Sequence, residues 1–177
     1  MLLFSELKQL AEARELISIE RDCHDEELTG FIGTLTENMV SMQLFNNDGE
    51  FDGFTFFQFS QITQVFWGNR EHQAILHLTK QKSAPEMPIL VSSDLSDAIL
   101  ELNQRYSSLC FHEAHDEDRF NVAVIEEHDE DWYKIQTFSI RKSLSRLNKI
   151  INANTISRVV VDSPYQNRIV ELHTLGL

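Results

Sequence analysis

The apolar positions of this chain recur at fixed spacing. Ile62, Val65, Ile75 and Leu78 reappear, residue for residue, as Ile156, Val159, Ile169 and Leu172, each 94 positions on. Upstream, Leu7, Leu10, Ile17, Ile19, Leu28 and Ile32 correspond to Ile99, Leu102, Leu109, Phe111, Phe120 and Val124, each 92 positions on. A two-residue insertion between these stretches reconciles the offsets. Repetition of this kind marks one structural unit used twice, so the pattern predicts two similar units, residues 1–82 and 92–177.

In the first unit Ser5 is placed to cap a helix that presents Leu7, Leu10 and Ala11 on one face. Alternating branched and polar residues predict a strand at Leu16 to Ile19, followed by a polar turn from Cys23 to Glu27. Further strands are expected at Leu28 to Thr36, Met39 to Phe45, Phe51 to Phe59 and Ile62 to Trp67. Asn46-Asn47-Asp48-Gly49 is a strong hairpin signal, and Ser60-Gln61 makes a corner. Arg70 to Leu78 fits either a short helix or a further strand. Gln81 to Pro88, with Ser83, Pro85 and Pro88, reads as the linker. Asp94 then opens a helix bearing Leu95, Ala98, Ile99 and Leu102. Strands are expected again at Leu109 to Glu113, Arg119 to Glu127, Trp132 to Phe138 and Ile156 to Val161.

Ser139 to Ile151 departs from the first unit. Ile140, Leu144, Leu147 and Ile151 share one helical face, while Lys142, Arg146 and Lys149 fall on another. The spacing predicts a basic helical insertion at about residues 139–152. The expected class is mainly β, α+β by count, each unit being a helix followed by about five short strands. That order suits a small, partly open barrel.

Helix, five strands and a corner before the fifth resemble the Sm-like, SH3-type small barrel. More narrowly, Gly49-Glu50-Phe51-Asp52-Gly53-Phe54 followed by Phe59-Ser60-Gln61-Ile62-Thr63-Gln64-Val65 resembles uncharacterised bacterial proteins that carry such a barrel. The resemblance covers most of each unit and implies two Sm-like units in tandem. Sm-like proteins often bind RNA and form rings, which makes both expectations of the resemblance. In the second unit Ser139 to Asn152 stands where the first has its Gly-Glu-Phe-Asp-Gly turn.

Charge bears on the first of those expectations. The chain has 15 Lys and Arg against 28 Asp and Glu, a net charge of −13 in 177 residues, and both halves are acidic. A polyanion meets net repulsion unless a basic patch stands apart. The stripe of Lys142, Arg146 and Lys149 is the candidate patch, but no aromatic residue interleaves with it for base stacking. Aromatic residues gather elsewhere, with nine of the twelve Phe before residue 91 and five of them between Phe51 and Phe59. On that strand Phe54 and Phe56 point one way, Phe57 and Phe59 the other. A small barrel has one inside, so the second face calls for a cover: the helix, the other unit or another chain.

Signals for chemistry are few. His112, His115 and His128 stand among carboxylates, residue types that bind divalent ions. The strand between the two clusters separates them by nearly 30 Å at about 3.3 Å per residue, so each would act alone. Cys23-His24 pairs a thiol with an imidazole, but adjacent residues rarely converge and no third, orienting group is evident. No P-loop, G-x-G-x-x-G, G-x-S-x-G or H-E-x-x-H occurs, and no cofactor is expected. The N-terminus has neither a basic region nor a small-residue cleavage site, and no apolar run is long enough to span a bilayer. With only Cys23 and Cys110, at non-equivalent positions, a reducing cytoplasm is expected. The leading expectation is a non-catalytic binding or assembly module that engages protein partners or itself. Its candidate contact residues are Lys142, Arg146, Lys149, Phe54, Phe57 and Trp67. An RNA-binding protein using the basic stripe comes second, and an enzyme or metal protein at His112 and His128 third.

Overall fold

The computed structural model describes residues 1–22, 24–141 and 145–177. The first helix, α1 (Leu2–Glu12), leads into β1 (Ile17–Arg21), β2 (His24–Leu35), β3 (Met39–Phe45) and β4 (Phe51–Gln58). A 3₁₀ turn at Phe59–Gln61 precedes β5 (Ile62–Trp67) and α2 (Arg70–Thr79). Beyond the linker come α3 (Leu95–Arg105), β6 (Leu109–Glu113), β7 (Asp116–His128), β8 (Trp132–Phe138) and β9 (Asn148–Asn152). A second 3₁₀ turn, Ala153–Thr155, precedes β10 (Ile156–Val161) and α4 (Pro164–Thr174). The protein is mainly β, with four helices among the described residues.

All ten strands join one antiparallel sheet, in the order β5-β1-β2-β3-β4-β10-β6-β7-β8-β9. Within residues 1–82 the order is fifth, first, second, third, fourth; within residues 92–177 it is the same again. The halves meet where β4 pairs with β10, Phe54 opposite Val161 and Phe57 opposite Arg158. Among the described residues, two strands have a single neighbour, β5 beside β1 and β9 beside β8.

Local chemistry explains most of the turns. Asn46 Oδ1 accepts from the backbone N–H of Asp48 and of Glu50, each at 3.0 Å, and Gly49 takes φ +72° to close the β3–β4 hairpin. Asn69 caps α2 by accepting from the His72 N–H at 2.8 Å, which settles Arg70 to Leu78 as helix. Asp94 caps α3 and Ser163 caps α4, where Pro164 supplies a pre-set φ at the first turn.

Three expectations change. Helix α1 begins at Leu2, ahead of Ser5, because Leu3 and Phe4 pack against the first core. Ser5 sits inside the helix and donates to the Leu2 carbonyl. Asp25 to Glu27 belong to β2, whose pairing with β1 reaches His24 opposite Arg21. Asn148–Asn152 is a strand and not helix, since β8 offers it a full ladder from Trp132 to Gln136.

Two main cores lie on either side of β4. The first gathers Leu7 and Leu10 of α1 with Ile17, Ile19, Val40, Met42, Phe57 and Phe59. The second gathers Ala98, Ile99 and Leu102 of α3 with Phe111, Ile135 and Val159, and it also takes Met39, Phe54 and Phe56 from the first half. The alternation of phenylalanines on β4 therefore feeds both cores, and the cover for its second face is the other half of the chain. Fully burying an aromatic or aliphatic side chain of this size is worth about 1.5–3 kcal/mol. Gly53 permits the close approach: at φ +106° it faces Val160, and a Cβ there would lie 2.8 Å from Val160 Cγ1. The linker is fastened rather than loose. Gln43 Nε2 donates to the Pro85 carbonyl at 2.7 Å, and Glu101 accepts from the Val91 and Ser92 N–H groups.

Candidate functional site: the joint between the halves and the two sheet edges

Where the halves meet, the sheet buries charge. Arg21 ends β1, Glu117 lies at the start of β7, and Ser157 and Arg158 lie on β10. Arg21 grips Glu117 with both ends of its guanidinium, Nη1 to Oε2 at 2.9 Å and Nη2 to Oε1 at 2.5 Å. Arg158 Nε donates to the same carboxylate at 3.2 Å and its Nη2 to Glu26 at 2.7 Å, while the Ser157 hydroxyl also donates to Glu117. The side chains of Arg21, Arg158 and Glu117 are only 0%, 4% and 7% exposed. Gln61 links the same groups, accepting from Arg21 and donating to the Ser157 carbonyl. Burial works against the charge on Glu117, but the hydrogen bonds from Arg21 and Ser157 and the charge of Arg158 outweigh it. Its carboxyl is held down at about 2. Two cations and two carboxylates balance here, which is how buried charge is tolerated.

Two pairs bring a candidate nucleophile to an imidazole: Cys110 with His112, beside this cluster, and Ser18 with His72, between β1 and α2. His112 Nδ1 lies 2.9 Å from the Glu117 carbonyl, which assigns the ring proton to Nδ1 and leaves Nε2 facing Cys110 Sγ at 3.6 Å. Burial, then the charge of Arg158, pushes His112 down to about 4, and burial pushes the Cys110 thiol up to about 12. At neutral pH both are uncharged, and a thiol without thiolate character is a poor nucleophile. Ser18 Oγ lies 2.8 Å from His72 Nε2, a pair that no spacing in the sequence reveals. Both residues are buried between β1, which carries Ser18, and α2, which carries His72, and His72 Nδ1 has no hydrogen-bond partner among the described residues. Catalytic serine–histidine pairs are reached by substrate and oriented by a third group.

The residues singled out from sequence scatter. Phe54 and Phe57 lie inside the second and first cores, so they offer a partner no surface. Trp67 ends the edge strand β5 and is 45% exposed. Lys142 lies outside the described residues, as does Cys23. Arg146 donates from Nε to His173 on α4 at 2.9 Å, and Lys149, on β9, donates to Asn121 at 2.7 Å. With β9 a strand, Arg146 and Lys149 do not share a helical face. His112 turns inward to Glu117, whereas His115 pairs at the surface with Glu113 at 3.3 Å. His128 ends β7 opposite Tyr133, and Asp129 Oδ1 accepts from Asp131 and Trp132 to shape the acidic turn. Among the described residues no group of three or more His, Cys, Asp or Glu is placed to hold a metal ion. No helix among them is long and apolar enough to cross a membrane.

Among the described residues, no strand pairs with the outer side of β5 or of β9. Strand β5, Ile62-Thr63-Gln64-Val65-Phe66-Trp67, carries no charge and no proline, the usual devices that keep an edge from pairing. Strand β9 presents Ile150, 69% exposed. No protein-family model, no curated protein and no solved structure matches this chain.

Proposed function

We propose that this chain is a non-catalytic assembly module, two Sm-like small-barrel units in tandem, which associates with further copies of itself through the edges of its sheet. One observation carries the reading. Strand β10 has β4 along one side and is buried throughout, while β5, which holds the corresponding place among the strands of residues 1–82, has no strand on that side among the described residues. Strand β9 in turn holds the place in its half that β4 holds in the first. A second copy bringing its β9 to this β5 repeats the β4–β10 pairing, a head-to-tail contact. An uncharged edge with half-buried Ile62, Val65 and Phe66 favours such pairing. Charge favours unlike ends, since β9 carries Lys149 while β5 lies against β1 with Glu20.

The test is the mass in solution. The native chain is expected to run above 20.6 kDa at high micromolar concentration. A Thr63→Lys/Gln64→Lys variant, altering two exposed positions of β5, is expected to run at 20.6 kDa with its unfolding midpoint kept. Trp67 reports the same event through a blue shift of its fluorescence on concentration. A native chain that stays at 20.6 kDa throughout sinks the proposal.

A further inference from the structure

A cavity of about 710 Å³ opens where β7, the end of β8 and α4 meet. Its volume lies inside the roughly 300–1,000 Å³ typical of small-molecule sites. Arg119, Arg141 and Lys149 stand on its wall, together with the rings of Phe120 and Tyr165. Those rings are 41% and 47% exposed and meet edge to face with centroids 5.8 Å apart. Lys149 is held by Asn121, but no described carboxylate pairs with Arg119 or Arg141. In a chain of net charge −13, three cations around one opening run against the background.

We propose that this cavity binds a small organic anion carrying a planar ring, an aromatic carboxylate or an aryl phosphate. A guanidinium meets a carboxylate or phosphate with two parallel hydrogen bonds, and the exposed aromatic rings offer a surface to a flat ligand. Charge sets the size of the ligand. Glu113 and Asp118 share the wall, so the cations exceed the carboxylates by one and suit an anion of low charge. A small anion feels mainly the charges within about 8 Å at physiological salt. A nucleic-acid strand extends past the cavity and meets the acidity of the rest of the chain. The site does not depend on the edge pairing proposed above.

Calorimetric titration of the full chain with phenyl phosphate and with benzoate tests this, with inorganic phosphate and phenol as controls. Saturable one-site binding of at least one ring-bearing anion is expected, with both controls weaker. Arg119→Ala and Tyr165→Ala should each weaken binding about tenfold, the loss of one charge-assisted bond or one ring contact. Both side chains are exposed, so the unfolding midpoint of the unliganded variants should match the native one. Lys8→Ala, an exposed position on α1, should bind as the native chain does. The proposal is overturned if neither ring-bearing anion binds saturably at millimolar concentration, or if the two cavity variants bind like the native protein. It is equally overturned if a short single-stranded oligonucleotide binds more tightly than both anions.

Discussion

Strands β10 and β5 are built alike. Each opens on an isoleucine, Ile156 and Ile62, with a valine three residues on, Val159 and Val65. Each follows a 3₁₀ turn and leads to a helix capped by a side chain. Yet β10 is buried at all six residues, whereas β5 mixes half-buried with exposed positions. One neighbour makes the difference: β10 runs between β4 and β6, and β5 has β1 alone among the described strands. The chemistry follows the position. Where β5 has exposed Gln64, β10 has Arg158, a buried charge that the sheet accommodates because Glu117 and Glu26 meet it. A strand's residue types therefore set what it can bury, and its place in the sheet sets what it does bury.

The largest effect is expected from removing the carboxylate that two buried arginines share. Glu117→Ala should cost about 3–5 kcal/mol in urea denaturation, because Arg21 and Arg158 lose a buried partner. Glu26→Ala removes a side chain that is 59% exposed, and about 0–1 kcal/mol is expected. Equal, small costs at both positions would show that the cluster does not hold the halves together. The valines come next. Val159→Ala should cost about 2–3 kcal/mol and Val65→Ala about 1 kcal/mol, since only the former empties a closed core. That gap should narrow at protein concentrations where β5 gains a neighbour. The last effect vanishes at neutral pH. Because His112 is held at about 4 against an ordinary 6.5, the unfolded chain takes up a proton first as pH falls. Stability should then decline from about pH 6.5 toward 4, and further between about 4.5 and 2 as Glu117 is protonated. A His112→Gln variant should flatten the upper part of this profile, and an unchanged profile would remove His112 from the account.

Strand periodicity was legible where both faces of the pattern were clear, as at Met39 to Phe45 with Val40, Met42 and Leu44 on one side. The two directions of the phenylalanines on β4 foretold two covers. Ile140, Leu144, Leu147 and Ile151 also matched a helical period, but local spacing is blind to the ladder that β8 extends to Asn148–Asn152. Ser5 had the chemistry of a cap, yet the apolar residues before it carry the helix one turn further back. The charged cluster was not legible at all. Arg21 and Glu117 lie 96 residues apart, and Ser18 and His72 lie 54 apart, so only the folded sheet brings them together.

Strands β4 and β10, which pair at the joint, belong to the same polypeptide. Their meeting is intramolecular, set by the length of the linker and not by how many molecules share the solution. Dilution that parts every contact between copies leaves this one in place. Each copy of the chain therefore carries this part of its ten-stranded sheet already closed, whatever the protein concentration.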